Sequence, residues 1–427
     1  MINIYDFNGK LPERILKRRE TGDVSGVVRA IVKDVKERGD EAVFGYTLKF
    51  DNFKLDKNNI LVTNKEFEAA FRAVKKSEIK ALETAKKSIV TYNERIKRKD
   101  MFFGPEGAKT GYLCRPMGRV GLYVPGGKAP YISSVLMCAL PAAVAGVKEI
   151  IMCTPAPKGA PVNPLTLAAA SLCGIKKVYK IGGAQAIAAM AYGTETIPKV
   201  DLITGPGNIY VATAKKEVFG EAGIDMVAGP SEITVIADES ANPAFLAADL
   251  LSQAEHDELA MSVLITPFGG LADKVDAELQ RQIKKLPREK TAAASLASFG
   301  TALICKDLRE CAAASNLLAP EHLELCVAEP DALLPLITNA GAVFMGHYTP
   351  EALGDYCAGP NHVLPTNGTA RFFSALSVDT YMKKISVIKY DKAAFQKKAK
   401  TIMAIAESEG FDAHANSVKV RLSEKHD

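Results

Sequence analysis

Residues 119–154 read RVGLYVPGGKAPYISSVLMCALPAAVAGVKEIIMCT. A short β-branched run, VGLYV, leads into a glycine turn, then an uncharged stretch of helix length from Ala129 to Val147, then a second apolar run, EIIMCT. Read as strand, turn, helix and strand, this order makes a parallel pair with a helix laid over it. The uncharged stretch approaches membrane-spanning length. Pro130, Ser133, Ser134, Pro141 and Gly146 interrupt it, so a buried helix is the better reading.

The same alternation continues outward through KKVYKI (176–181), DLIT (201–204) and SEITVIA (231–237), with alanine-rich stretches between. It goes on through LADKVDAELQRQIKKL (271–286), TALICK (301–306), HLELCV (322–327) and GAVFMG (341–346). Alternation of this kind predicts parallel sheets covered by helices, with more strands than one small doubly wound sheet needs. The expected fold is α/β with two Rossmann-like parallel-sheet domains, and the two halves could be distant copies of one plan. Upstream, residues 24–48 and 64–99 carry apolar positions at three- and four-residue spacing and predict a mostly helical N-terminal segment. After Tyr390 a basic amphipathic helix and a short tail ending in KHD read as an appendage that packs on something else, a partner subunit being one candidate. The expected division is residues 1–118 plus 231–375 as one α/β domain, 119–230 as an inserted α/β domain, and 376–427 as a C-terminal helical tail.

A length of 427 residues favours more than one domain. With 48% hydrophobic and 24% charged residues the chain has the composition of a folded globular protein. The formal net charge is +5, and Lys75, Lys76, Lys80, Lys86 and Lys87 lie on helical patterns that face water, which argues against nucleic acid as a partner. The eight cysteines are scattered with no C-x-x-C spacing, several in apolar runs, as in a reducing compartment. The N-terminal twenty residues have no apolar signal core, and we expect a cytoplasmic protein with no membrane partner.

Several short strings could carry chemistry. Glycine-bearing turns follow three predicted strands: VPGGK (124–128), IGGAQA (181–186) and TGPGNIY (204–210). Turns like these let backbone amides approach a phosphate at a helix start, although none completes G-x-G-x-x-G, and ordinary strand-to-helix turns read the same way. In LLSQAEHDEL (251–260), Gln253 and His256 stand three apart on a helical pattern; one metal could take both, or both could face water. The loop-like EALGDYCAGPNHVLPTNG (351–368) carries Asp355 and His362, and ESEGFDAHANS (407–417) carries Glu409 and His414 past the last predicted helix. Most telling is LLAPEHLELCV (317–327), where Glu321 and His322 open an otherwise apolar strand. An exposed strand start, a metal-ligand pair and an acid–base couple all remain open. In a cleft, the imidazole would take a proton near neutral pH while the carboxylate polarises it or handles water.

Taken in order, GLYVPGGKAPYISS, GGAQAIAA, TGPGN, AGPSE, LLSQAEH, APEHLE, LGDY, GPNHVLPT and EGFDAH resemble the histidinol dehydrogenases over nearly the whole chain. The resemblance implies oxidation of L-histidinol to L-histidine by two hydride transfers to NAD, the last step of histidine biosynthesis. It implies zinc held by Gln253, His256, Asp355 and His414, the last supplied across a homodimer. Ser231 and Glu409 would touch substrate together with the zinc ligands and His322; Tyr123, Gln185 and Asn208 would line the NAD site. His322 would act as the base for both oxidations, and Glu321 would activate the water that enters between them. The hard oxygen donors of Gln253 and Asp355 would also admit manganese. A relative that oxidises another small primary alcohol with NAD is the nearest alternative, and a non-catalytic NAD- or metal-binding module is the alternative from another class.

Overall fold

The computed structural model describes residues 1–17, 22–126 and 131–423. Gly127, Lys128, Ala129 and Pro130 of the opening stretch and the terminal KHD therefore lie outside the described residues. The chain forms two compact units, Met1–Ile96 with Met117–Tyr381 and Lys97–Pro116 with Met382–Asp427.

The opening stretch builds what its pattern predicts. Arg119–Tyr123 and Glu149–Cys153 pair in parallel, Val120 opposite Ile150, with the helix Ile132–Ala145 between them. They belong to a five-stranded parallel sheet ordered Lys177–Tyr179, Glu149–Cys153, Arg119–Tyr123, Leu202–Thr204, Gly223–Ile224. A second, six-stranded parallel sheet runs Asn3–Asp6, Thr301–Ile304, Met261–Thr266, Glu232–Ala237, His322–Cys326, Ala342–Met345. Apart from the added Asn3–Asp6, both sheets follow one plan. The chain enters at a middle strand, steps outward twice, then returns to the other side of the entry strand and steps outward again. The return leaves a switch point in each sheet, between Arg119–Tyr123 and Leu202–Thr204 and between Glu232–Ala237 and His322–Cys326.

Strands Glu232–Ala237 and Met261–Thr266 are buried at every position because apolar clusters cover both faces of the sheet. The N-terminal helices Ser25–Arg38 and Asp40–Asp51 bury Val28, Ile31, Val35 and Val43 in one core with Ile187, Val211 and Val218 of the five-stranded sheet's helices. The segment Ile60–Val62 extends that sheet's edge: Lys180 N–H donates to Ile60 O at 2.8 Å and Val62 N–H to Val178 O at 2.9 Å. Of the expected grouping of 1–118 with 231–375, only Asn3–Asp6 joins the six-stranded sheet; amphipathic spacing gives a helix an apolar face but not the surface it covers.

The second unit is a three-stranded antiparallel sheet, Met101–Phe103, Ala108–Pro116 and Met382–Tyr390, with helices Lys392–Ser408 and Asp412–Leu422. The expected C-terminal helical tail from 376 thus contains, ahead of its helices, the nine-residue strand Met382–Tyr390, which pairs with Ala108–Pro116, so residues 97–116 go with it while 376–381 stay with the first unit. No helix among the described residues is long and apolar enough to cross a membrane.

One buried ion pair holds the turn after Leu202–Thr204. Lys215 Nζ, fully buried, donates to the Asp225 carboxylate and to Gly205 O at 3.1 Å, while Asp225 Oδ2 accepts from Gly205 N–H at 2.8 Å. Replacing Lys215 with methionine leaves that carboxylate buried and uncompensated, and is expected to cost about 3–5 kcal/mol of stability. Urea denaturation measures it. A loss below about 1 kcal/mol would mean that the turn does not depend on the pair.

Candidate active site

Ala319 closes the helix Leu308–Leu318 in a left-handed conformation, φ 50°, and Pro320 then turns the chain into the strand His322–Cys326. The strand enters beside the switch point, with His322 opposite Ile233 on one side and Ala342 on the other. Glu321 and His322 are thus fixed at its amino end, and both are nearly fully buried. Glu321 Oε2 accepts from Glu232 N–H at 2.8 Å. His322 Nδ1 lies 2.9 Å from Glu232 O, which can only accept, so Nδ1 carries the proton and Nε2 keeps its lone pair. Nε2 has no hydrogen-bond partner. It faces Glu351 Oε1 and Asp355 Oδ1, each 3.8 Å away.

Those two carboxyls come from the helix Glu351–Tyr356, so Asp355 sits on a helix and not on the expected loop. Glu351 and Asp355 are four apart and share its inner face. Gly354 lies between them and against Phe344, where a Cβ would come 2.6 Å from the ring, and Phe344 in turn packs on His322 at 5.9 Å between centroids. Gln253, in the last turn of Pro243–Ala254, is buried with Nε2 3.3 Å from His322 Nδ1. His256 falls past the end of that helix, capped by Glu255, so it does not share a helical face with Gln253 as expected; its Nδ1–H donates back to Ser252 O at 2.9 Å. It is still near enough for charge on His322 to act on it. Ser231 immediately precedes Glu232–Ala237 at the same amino edge, its carbonyl accepting from Met261 N–H.

The electrostatics follow from crowding acids into a dry place. Burial pushes the Glu321 carboxyl well above its ordinary range, Glu351 to about 8 and Asp355 to about 7, all three also through neighbouring carboxylates. Burial pushes the His322 imidazole down, which keeps it neutral. His322, Glu351 and Asp355 each offer an atom within 4.8 Å of the others, a set that could hold a divalent cation, but the His322 lone pair can serve as a ligand or as a base and not as both at once. The described residues of the first unit therefore bring Gln253, Glu321, His322 and Asp355 together.

Glu409 and His414 belong to the second unit. Glu409 caps Lys392–Ser408, and His414 stands within the helix Asp412–Leu422, exposed and 5.3 Å from Phe411, where the sequence had led us to expect it beyond the last helix. The sequence reading missed Glu351, Glu324 and Asp249. Glu324, two residues from His322 and so on the same face of the strand, accepts from Glu351 N–H at 2.8 Å and bonds the Asp249 side chain. The signal was available: HLELC spends an inward position on an acid. A cavity of about 120 Å³ adjoins the cluster, lined by Asp355, His362, Phe344 and Leu353, with His362 Nε2 buried and unpartnered.

At the carboxyl edge of the five-stranded sheet, Gly205 and Gly207 follow Leu202–Thr204 beside the switch point, while Gly182 and Gly183 follow the edge strand Lys177–Tyr179. Tyr123 OH accepts from Gly183 N–H at 3.1 Å, Gln185 is buried in the first turn of Gly183–Tyr192, and Asn208 caps Ile209–Val218. Gly205, φ 115°, lies so close to Tyr123 that a Cβ would come 2.1 Å from its carbonyl oxygen. The N-terminus of Ile209–Val218 opens at the switch point, where a helix start suits the diphosphate of a dinucleotide.

The histidinol dehydrogenase family model matches residues 16–422. The histidinol dehydrogenase of Geobacter sulfurreducens is 52% identical over 420 residues, covering 98% of each chain, and that of Bacillus cereus is 51% identical over 399 residues, covering 93% of this chain and 92% of its own. The crystal structure of histidinol dehydrogenase from Elizabethkingia anophelis superposes with a TM-score of 0.93 at 39% identity, covering 99% of this chain and 98% of the other.

Proposed function

The chain belongs to the histidinol dehydrogenase family, and from that premise we propose that it oxidises L-histidinol to L-histidine with two NAD, the last step of histidine biosynthesis. The observation that carries the reading is the buried Glu321–His322 pair, its imidazole lone pair turned to a cluster of acids. Gln253, His256 and Asp355, with His414 of the partner subunit in a homodimer, would hold zinc, which would supply a Lewis-acidic anchor for the amine and imidazole of the substrate. NAD, against Tyr123, Gln185 and Asn208, supplies the hydride acceptor.

The chain's own residues then do the proton work. His322, held by Glu232 O in the tautomer with Nε2 free, takes the hydroxyl proton as the alcohol is oxidised to a bound aldehyde. Glu321 takes a proton from the water that adds to the aldehyde, and His322 takes one again from the resulting gem-diol. Burial favours the protonated form of Glu321, so this role requires the cationic charge of the loaded site to return it to carboxylate. Ser231 and Glu409 orient the substrate. The enzyme works in the cytoplasm, without nucleic acid or membrane.

NADH formed per L-histidinol consumed, with histidine quantified at the end, tests the reading in purified, zinc-supplemented protein. Two NADH per histidine are expected. One NADH per alcohol with no histidine, or turnover only of another primary alcohol, overturns it in favour of a relative with a different substrate.

A further inference from the structure

In a doubly wound sheet the ribose of a dinucleotide is ordinarily met by a carboxylate at the end of the second strand. The second strand of the five-stranded sheet is Glu149–Cys153, and the residues beyond it, Thr154 to Ala160, include no acid; Lys158 is there instead. A carboxylate does arrive from elsewhere. The helix Asp40–Asp51 ends with Asn52 left-handed, φ 49°, which turns the chain so that Phe53 lies on Gly159, where a Cβ would come 3.1 Å from the ring. A few residues on, Ile60–Val62 is hydrogen-bonded along the sheet edge. Both anchors hold residues 51–53 over the carboxyl ends of the strands. Asp51 is near enough to the Tyr123 phenol for its charge to act on it, and its Oδ2 is buried with no hydrogen-bond partner.

A buried carboxylate oxygen without a donor is costly, and a ribose supplies two O–H donors at once. A ribose 2′-phosphate would instead bring more negative charge against it. We infer that Asp51 accepts the adenosine ribose hydroxyls of the dinucleotide and selects NAD over NADP. The inference rests on the NAD-dependent reading above and adds to it the residue that discriminates between the two dinucleotides.

The test compares the full-length, zinc-loaded protein with Asp51→Asn and Asp51→Ala, using titration calorimetry with NAD, NADP and ADP-ribose beside steady-state kinetics. Wild type is expected to bind NAD at least about tenfold tighter than NADP. Asp51→Asn is expected to weaken NAD and ADP-ribose about tenfold or more, to leave NADP unchanged or tighter, and to keep kcat within about twofold. Its Tm should equal or exceed that of wild type, because a buried charge is removed. Unchanged NAD binding would overturn the inference. So would an equal loss for NAD and NADP, which marks a residue that only positions the segment. Wild-type protein that binds NAD through Asp51 yet forms no NADH from L-histidinol would fail the functional proposal and leave this one standing.

Discussion

Exchanging His322 for asparagine is expected to lower kcat for L-histidinol oxidation by about a thousandfold while leaving NAD affinity within about twofold. The asparagine amide can still donate to Glu232 O, as Nδ1–H does now at 2.9 Å, so the strand entry stays as it is. What is lost is the lone pair at Nε2, the unpartnered base facing the acidic cluster. Because the proposed mechanism uses that base twice, both alcohol and aldehyde oxidation should fall together. Glu321→Gln supplies the contrast: its amide oxygen can still accept from Glu232 N–H, and its deficit should fall mainly on the step that needs water. Single-turnover measurements with alcohol and with aldehyde separate the two. Since burial holds the His322 imidazole below its usual pKa, the acidic limb of activity should lie below pH 6.5, the base being lost only when it finally protonates. A His322→Asn enzyme retaining more than about a tenth of wild-type kcat would remove His322 from the role of base.

Both parallel sheets were legible because their strands are apolar throughout and separated by helix-length stretches, a texture that only double-sided burial produces. Glycine turns after three of the strands marked strand-to-helix connections, but not where the strand order reverses. The pairing of Ala108–Pro116 with Met382–Tyr390 was not legible, since more than 260 residues separate the two and the run MKKISVIKY mixes lysines with apolar residues on a largely exposed ribbon. Nor did helical spacing say which sheet Ser25–Arg38 covers.

At the site, the adjacency of Glu321 and His322 was readable because two polar residues at the head of a buried strand need an explanation. Helix ends were harder. Gln253 and His256 straddle one, and Asp355 lies on six residues of helix enclosed by glycine and proline, where local pattern favours a loop. Glu351 escaped notice because its role depends on convergence with His322, some thirty positions away in sequence, which no local pattern encodes.

With metal stripped, the chain is expected to lose stability as pH rises from about 4 to about 8, the reverse of what most proteins do on leaving acid. Asp355 and Glu351 hold their protons in the folded state to about 7 and about 8, and Glu321 is raised as well, whereas the unfolded chain releases carboxyl protons near 4. The folded state therefore binds more protons than the unfolded one across this interval, and the slope of unfolding free energy with pH is negative. Their pH-linked stabilisation is present below the unfolded pKa and lost as pH passes the folded one; since the acids interact, the combined loss is of the order of a few kcal/mol. A bound divalent cation should reverse the trend, because its ligands must be deprotonated and its affinity rises as they are. Thermal denaturation between pH 5 and 9, with chelator and then with zinc or manganese restored, measures both slopes. Asp355→Asn should flatten the chelated profile and weaken the metal about tenfold or more, with metal content of the purified protein as the second readout. A chelated protein whose Tm holds steady or climbs from pH 5 to 8 would mean that these acids are not held protonated, and one that zinc leaves unchanged at pH 8 would mean that Asp355 belongs to no metal site.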